Sequence, residues 1–228
     1  MAACFAVACK SAPAPRSPFI IPPHVLFDSI RTVVVTSATV VGDIRIADST
    51  LSRLEILIEE KLREAGFLAV PAVEYASAWD LIAMEDGGFF DPYTGERNEE
   101  KYLAAVDRLQ EELAERFDFD AMVYPEIWEV EAEYSFGTAS WGGITEEVRG
   151  GLGYSGHALA ATLFVAMQDT TGNELYVQEA GVQLLEYMLR GQLTALPPEQ
   201  LFGDTTRISA AVSRIFDPLI AQRTPIPQ

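Results

Sequence analysis

The sequence predicts an α/β (α+β) domain built on a single mixed sheet, with a strand–helix–strand start, an antiparallel C-terminal hairpin and helices packed on it. Three observations predict it. The β-branched run Ile30–Val35 precedes an amphipathic segment and a second short apolar run, the opening of a layered α/β arrangement. Apolar and acidic residues alternate from Trp128 to Tyr134, as in a half-buried antiparallel strand. Two apolar segments flank Asp169-Thr170-Thr171-Gly172-Asn173, a turn-forming sequence that marks a hairpin.

Taken in order, Ile30-Arg31-Thr32-Val33-Val34-Val35 suits a buried strand. After a loop containing Gly42 and Asp43, Asp48-Ser49-Thr50 offers N-cap side chains. Leu51, Leu54, Ile58, Leu62 and Ala65 then recur at helical spacing, and Gly66 stops the helix. Phe67–Val70 is a short strand, 75–84 a short helix, and Asp86–Gly95 a turn-rich surface loop. A long helix spans about 98–116, with Tyr102, Val106, Leu109, Leu113 and Phe117 on one face. Phe119–Tyr124 reads as a central parallel strand. In the next strand Trp128, Val130, Ala132 and Tyr134 share the buried face, and Glu129, Glu131 and Glu133 take the other. The glycine-, threonine- and serine-rich stretch 137–156 reads as a loop or loose hairpin. Segments 157–168 and 174–188 are the arms of the closing hairpin, whose period of two sets Leu163 and Val165 toward the helices. Asp204-Thr205-Thr206 caps a last helix with the stripe Ile208, Ala211, Val212, Ile215 and Leu219.

The domain so defined covers 30–222, with a tail at 223–228. Ahead of it, Ala6-Val7-Ala8-Cys9 has the small residues and cysteine of a bacterial lipoprotein signal. Residues 1–8 are then a truncated signal peptide, Cys9 the lipidated mature N-terminus, and 9–29 a tether whose Pro13, Pro15, Pro18, Pro22 and Pro23 favour an extended chain. The run lacks a basic n-region, and its apolar stretch barely reaches the usual ~7–15 residues. A cytoplasmic location is the alternative, should Cys9 not be a lipobox cysteine.

Composition narrows the chemistry. Asp and Glu number 34 against 16 Lys and Arg, a net charge of −18. Such a surface repels nucleic acid, which is excluded as a partner, and anionic lipid, so any membrane attachment runs through acyl chains only. No apolar run approaches the ~20 residues of a membrane-spanning helix. Cys4 and Cys9 are the only cysteines, which excludes a disulfide framework, a thiolate zinc site and a catalytic thiol in the domain.

Each search for a reactive constellation ends in a structural reading. The two histidines, His24 and His157, are short of the about three protein ligands a zinc site requires. Gly153-Tyr154-Ser155-Gly156-His157 has its second glycine one place early for a nucleophile elbow, and a strand follows it. Neither glycine-rich phosphate motif is present. Asp86, Asp91 and Glu96 lack the spacing of a calcium loop and suit turn chemistry. Glu129, Glu131 and Glu133 suit a solvated strand face. Trp79, Trp128 and Trp141 could line a sugar cleft, yet core packing explains them as well, and no acid pair for glycoside cleavage stands out. No catalytic, cofactor-binding or metal residue is assigned, and no cofactor is expected; Cys9 is the one candidate site.

The lipobox-like Cys9, the proline tether, the strand before a helix, and the hairpin from Ala160 through Asp169-Thr170-Thr171-Gly172-Asn173 to Tyr176 resemble Gram-negative envelope lipoproteins. The order of elements over 30–222 is similar to α/β domains of the CsgG, LpoB and TolB N-terminal type. That resemblance implies a non-catalytic, lipid-anchored periplasmic protein that binds envelope protein partners in an assembly or regulatory role. With Lys10 after the cysteine, it implies delivery to the outer membrane. The alternative is a periplasmic or cytosolic enzyme whose Asp and Glu residues act without a recognised motif. Partner identity and oligomeric state are not readable from the residues.

Overall fold

In the computed structural model, residues 17–91 and 93–223 are described. Cys9, residues 1–8 and the tail beyond 223 lie outside them. The fold is the mixed α/β class expected. The chain runs α1 (Pro23–Ser29), β1 (Thr32–Val35), β2 (Thr39–Val41), α2 (Asp48–Glu64), β3 (Leu68–Val70), α3 (Ala72–Glu85) and α4 (Glu99–Phe117). It continues through β4 (Ala121–Ser135), β5 (Thr138–Trp141), β6 (Ile144–Glu147), β7 (Ser155–Asp169), β8 (Glu174–Leu184), β9 (Glu186–Leu189), β10 (Gln192–Ala195) and α5 (Thr205–Gln222).

β1 lies between β3 and β4 and is parallel to both. Its Val33, Val34 and Val35 are fully buried, because helices cover both sides of the sheet here and leave no solvent face for a polar residue. On one side, Val33, Val123, Leu163 and Val165 pack with Leu54, Ile58, Leu62, Ile208, Val212, Ile215 and Leu219 of α2 and α5. Leu163 and Val165 are each 1% exposed, in the register that the hairpin periodicity predicts. On the other side, Val34 and Met122 meet Ala78 and Ile82 of α3 and Leu109 and Leu113 of α4.

The two strands expected at 119–124 and 128–134 are one strand, β4, paired along its whole length with β7 from Ala121↔Asp169 to Ser135↔Ser155. The buried face changes midway. Val123 and Ile127 belong to the core under α2 and α5. Ala132 and Tyr134, of opposite parity, belong to a second core under the β5–β6 hairpin. A change of covered face breaks the alternation, so one strand reads as two. Trp128 corrects the expected buried face: it is 39% exposed, on the side shared by Met122 and Ala132 but outside both the core under α3 and α4 and the core under the hairpin.

The 137–156 stretch contains a true hairpin. Gly142 and Gly143 form its two-residue turn, both with positive φ (48° and 74°), as a tight turn of this hand requires. The tip reaches β8, where the Gly181 amide donates to the Gly142 carbonyl at 2.8 Å. The expected strand 174–188 ends at Leu184. Residues beyond it turn into a separate two-stranded sheet, β9–β10, closed by Arg190 and Gly191 at φ 52° and 81°. Between β7 and β8, Asp169 accepts hydrogen bonds from the Thr171 and Asn173 amides and from the Thr171 hydroxyl and Asn173 side chain. These bonds hold its carboxyl far below the usual range.

Two further expectations are corrected. The tether, expected to run to residue 29, does not do so: from residue 18 the chain is part of the domain. The Ile20 amide donates to the Leu175 carbonyl (3.0 Å), the Val177 amide to the Pro18 carbonyl (2.9 Å), and Phe19 sits edge-on to Tyr176. This segment covers the outer edge of β8, and Leu26 of α1 is fully buried. Pro23, taken as a mark of extended chain, occupies the first turn of α1, where its missing N–H costs nothing. The second correction concerns α2, which starts at Asp48 with Ala47 at the N-cap and no capping side chain. Asp48 instead lies in the first turn, where its charge suits the helix dipole. The expected Asp204 cap of α5 is present, accepting from the Thr206 amide at 3.0 Å.

Candidate functional site

Parallel strands leave a crevice at their carboxyl ends, where the chain departs to either side. Here β1 ends and Thr36 continues toward β2, its amide bound to the Val123 carbonyl at 2.9 Å. Beyond that end lies a cavity of about 520 Å³. Thr36, Ser37, Thr39, Tyr124, Pro125 and Glu126 form its sheet side; Tyr75 and Trp79 of α3, Tyr102 and Val106 of α4, and the loop residues Phe89 and Phe90 form the rest.

The loop that supplies Phe89 is built by local rules. Asn98 caps α4 by accepting from the Lys101 amide (3.0 Å), and its own amide binds the Phe89 carbonyl (2.8 Å). Asp91 accepts from the Thr94 and Tyr93 amides, both at 2.8 Å, which lowers its carboxyl pKa. Phe89 is thereby held among Trp79 and Tyr102, with ring centroids 5.0 and 5.8 Å away, while Phe90 is left 64% exposed at the rim. Trp79 and Tyr102 meet edge-on at 5.6 Å. The outer side of Tyr102 carries the Arg97 guanidinium, 4.3 Å from the ring centroid and doubly bonded to Glu99.

The polar groups are few. Burial, with smaller effects from Tyr124 and Tyr102, pushes the Tyr75 phenol up to about 12, and burial also raises Tyr124. Both are neutral phenols at physiological pH. Glu126 accepts from the Trp128 indole N–H at 2.6 Å. Trp128 stacks on Phe164 with centroids 5.1 Å apart, extending the ring surface beyond the cavity mouth. Aromatic walls with a few placed polar groups are the composition common to small-molecule and side-chain binding pockets.

The residues weighed from sequence are dispersed. Trp79 lines the pocket and Trp128 flanks it, but Trp141 is in the hairpin core, its indole N–H bound to the Ala161 carbonyl (3.1 Å). Glu131 and Glu133 face solvent and Glu129 is half-buried. Ser155 begins β7, with no helix after it. His24 and His157 are exposed on α1 and β7. Among the described residues no three His, Cys, Asp or Glu side chains gather as metal ligands, and no helix is long and apolar enough to cross a membrane. Sequence reasoning missed the pocket. Its one local signal was Phe89-Phe90, two large rings inside a glycine-rich turn that has no core of its own to fill.

No family model matches this chain, and no curated protein matches it. Among solved structures it is similar to lipoprotein GNA1162 from Neisseria meningitidis, at 18% identity over 82% of this chain and 99% of that one, with a TM-score of 0.35. It is also similar to the PelC dodecamer from Paraburkholderia phytofirmans, at 9% identity over 91% and 96%, with a TM-score of 0.37. The L103M form of that PelC gives 9% identity over 84% and 90%, and a TM-score of 0.35. At scores this low the likeness carries no conclusion about this chain.

Proposed function

We propose that this is a non-catalytic, lipid-anchored envelope protein that docks protein partners through the aromatic pocket at the end of β1. The observation that carries the docking is the pocket itself: packed rings line it, and two large rings meet solvent, Phe90 at its rim and Trp128 beside it, bonded to Glu126. Aromatic anchors of this kind dominate binding at protein interfaces. In this reading Cys9 carries the lipid anchor, and the pocket faces the periplasm at the outer membrane; the small residues before Cys9 and the proline-rich stretch after it support the reading. The resemblance to envelope lipoproteins of the CsgG, LpoB and TolB N-terminal type supports an assembly or regulatory role.

A photo-crosslinking amino acid at position 90, expressed in the native host, tests the docking. Position 56, exposed on α2 away from the pocket, is the control. The expected result is a discrete crosslinked envelope protein from position 90 and none from position 56. Equal labelling from both sites, or none from either, would overturn it.

A further inference from the structure

The pocket's charge is unbalanced in one direction. Among the described residues no Lys or Arg lines the cavity, and the cations of α4 and the turn before it are engaged elsewhere: Arg97 with Glu99, Arg108 with Glu85, and Lys101 with the Asp86 carbonyl. Glu126, on the cavity wall, has no Lys or Arg paired with it among the described residues; the Trp128 N–H is its hydrogen-bond donor. A neutral N–H leaves the carboxylate's charge unmatched. The same cavity is lined by the ring systems of Tyr75, Trp79, Tyr102 and Tyr124. A ring face attracts a cation through its quadrupole, and desolvation between several rings strengthens that attraction. The wall already works this way on its outer side, where Arg97 lies over Tyr102. The field of the whole chain, at −18, concentrates positive groups at its surface.

We infer that the pocket receives the side chain of an arginine or lysine from the docked protein, its charge against the Glu126 carboxylate and its stem along the aromatic walls. The inference rests on the docking reading and deepens it: the partner presents a basic residue. The cavity, about 520 Å³, has room for a long side chain together with part of its backbone.

The test uses the full chain and two small probes of equal shape, N-acetyl-arginine amide and N-acetyl-citrulline amide. Amide NMR shifts report where each binds, and fluorescence of Trp79 and Trp128 reports occupancy. Arginine amide is expected to shift residues around Glu126 and Tyr102, about tenfold more tightly than citrulline amide, as one charge-assisted contact implies. Glu126→Gln is expected to remove that preference with the spectrum otherwise unchanged, and Glu60→Gln, on the exposed face of α2, to keep it. Equal binding of the two probes would overturn the cation assignment while leaving the docking pocket standing. Shifts scattered over the acidic surface, or no shift at the pocket, would also overturn it. The crosslink from position 90 reads the docking separately.

Discussion

Leu163→Asp is expected to cost about 4 kcal/mol or more, a large share of the ~5–15 kcal/mol that holds a domain of this kind folded. Leu163 lies at the centre of β7, 1% exposed, in the core that α2 and α5 close over the sheet. Among the described residues no Lys, Arg or His is buried to pair with a carboxylate there. Denaturant unfolding should show a collapsed midpoint or no cooperative transition. Glu131→Gln, on the solvated face of β4, should move the midpoint by less than ~0.5 kcal/mol. An unchanged midpoint for Leu163→Asp would mean that the strand is out of register by one residue.

Gly142→Ala should be the next most damaging change, at about 2–4 kcal/mol. The new Cβ would overlap the Gly181 amide and come within 2.7 Å of the Gly181 Cα, at a residue whose φ of +48° already disfavours a side chain. The hairpin tip cannot yield without losing the Gly181–Gly142 hydrogen bond and loosening Trp141 from the Ala161 carbonyl. Gly143→Ala is the matched control. It shares the positive φ (+74°) but meets nothing within 4 Å, so only the backbone strain of about 1–2 kcal/mol remains. Unfolding midpoints and the Trp141 indole resonance separate the two. Equal losses would show that conformation alone, and not the approach of hairpin to β8, sets the requirement.

The contrast between those glycines shows what local sequence carries. The helices α2, α4 and α5 were legible because each buries one stripe against the sheet at helical spacing. The β7–β8 turn was legible because Asp169 and Gly172 do their work within five residues. β4 was misread because the covered face changes between Ile127 and Ala132, a tertiary fact with no local counterpart. The β9–β10 turn was hidden because Arg190 holds a positive φ that composition does not announce. Residues 18–29 were misread because prolines outweighed the apolar Phe19 and Leu26, whose places on the domain depend on β8 and the helices far along the chain.

The pocket was hidden for a related reason. Thr36, Tyr75, Tyr102 and Glu126 come from four separate elements, and each alone reads as an ordinary strand-end or helix residue. Only the parallel pairing of β1 with β4, and the packing of α3 beside α4, bring them to one cavity. The tryptophans illustrate the point from the other side. Three were visible as one candidate group, and the fold puts two at the pocket and one in a different core.

The proposed envelope role depends most directly on the state of Cys9. The gene, expressed with its native upstream region in its own host, should give a membrane-extracted protein whose intact mass begins at Cys9 and includes a diacylglyceryl group and its acyl chains. Cys9→Ser should abolish both the added mass and the membrane association. An unmodified Cys9 with residues 1–8 still attached, in a protein recovered from the cytoplasm, would contradict the placement.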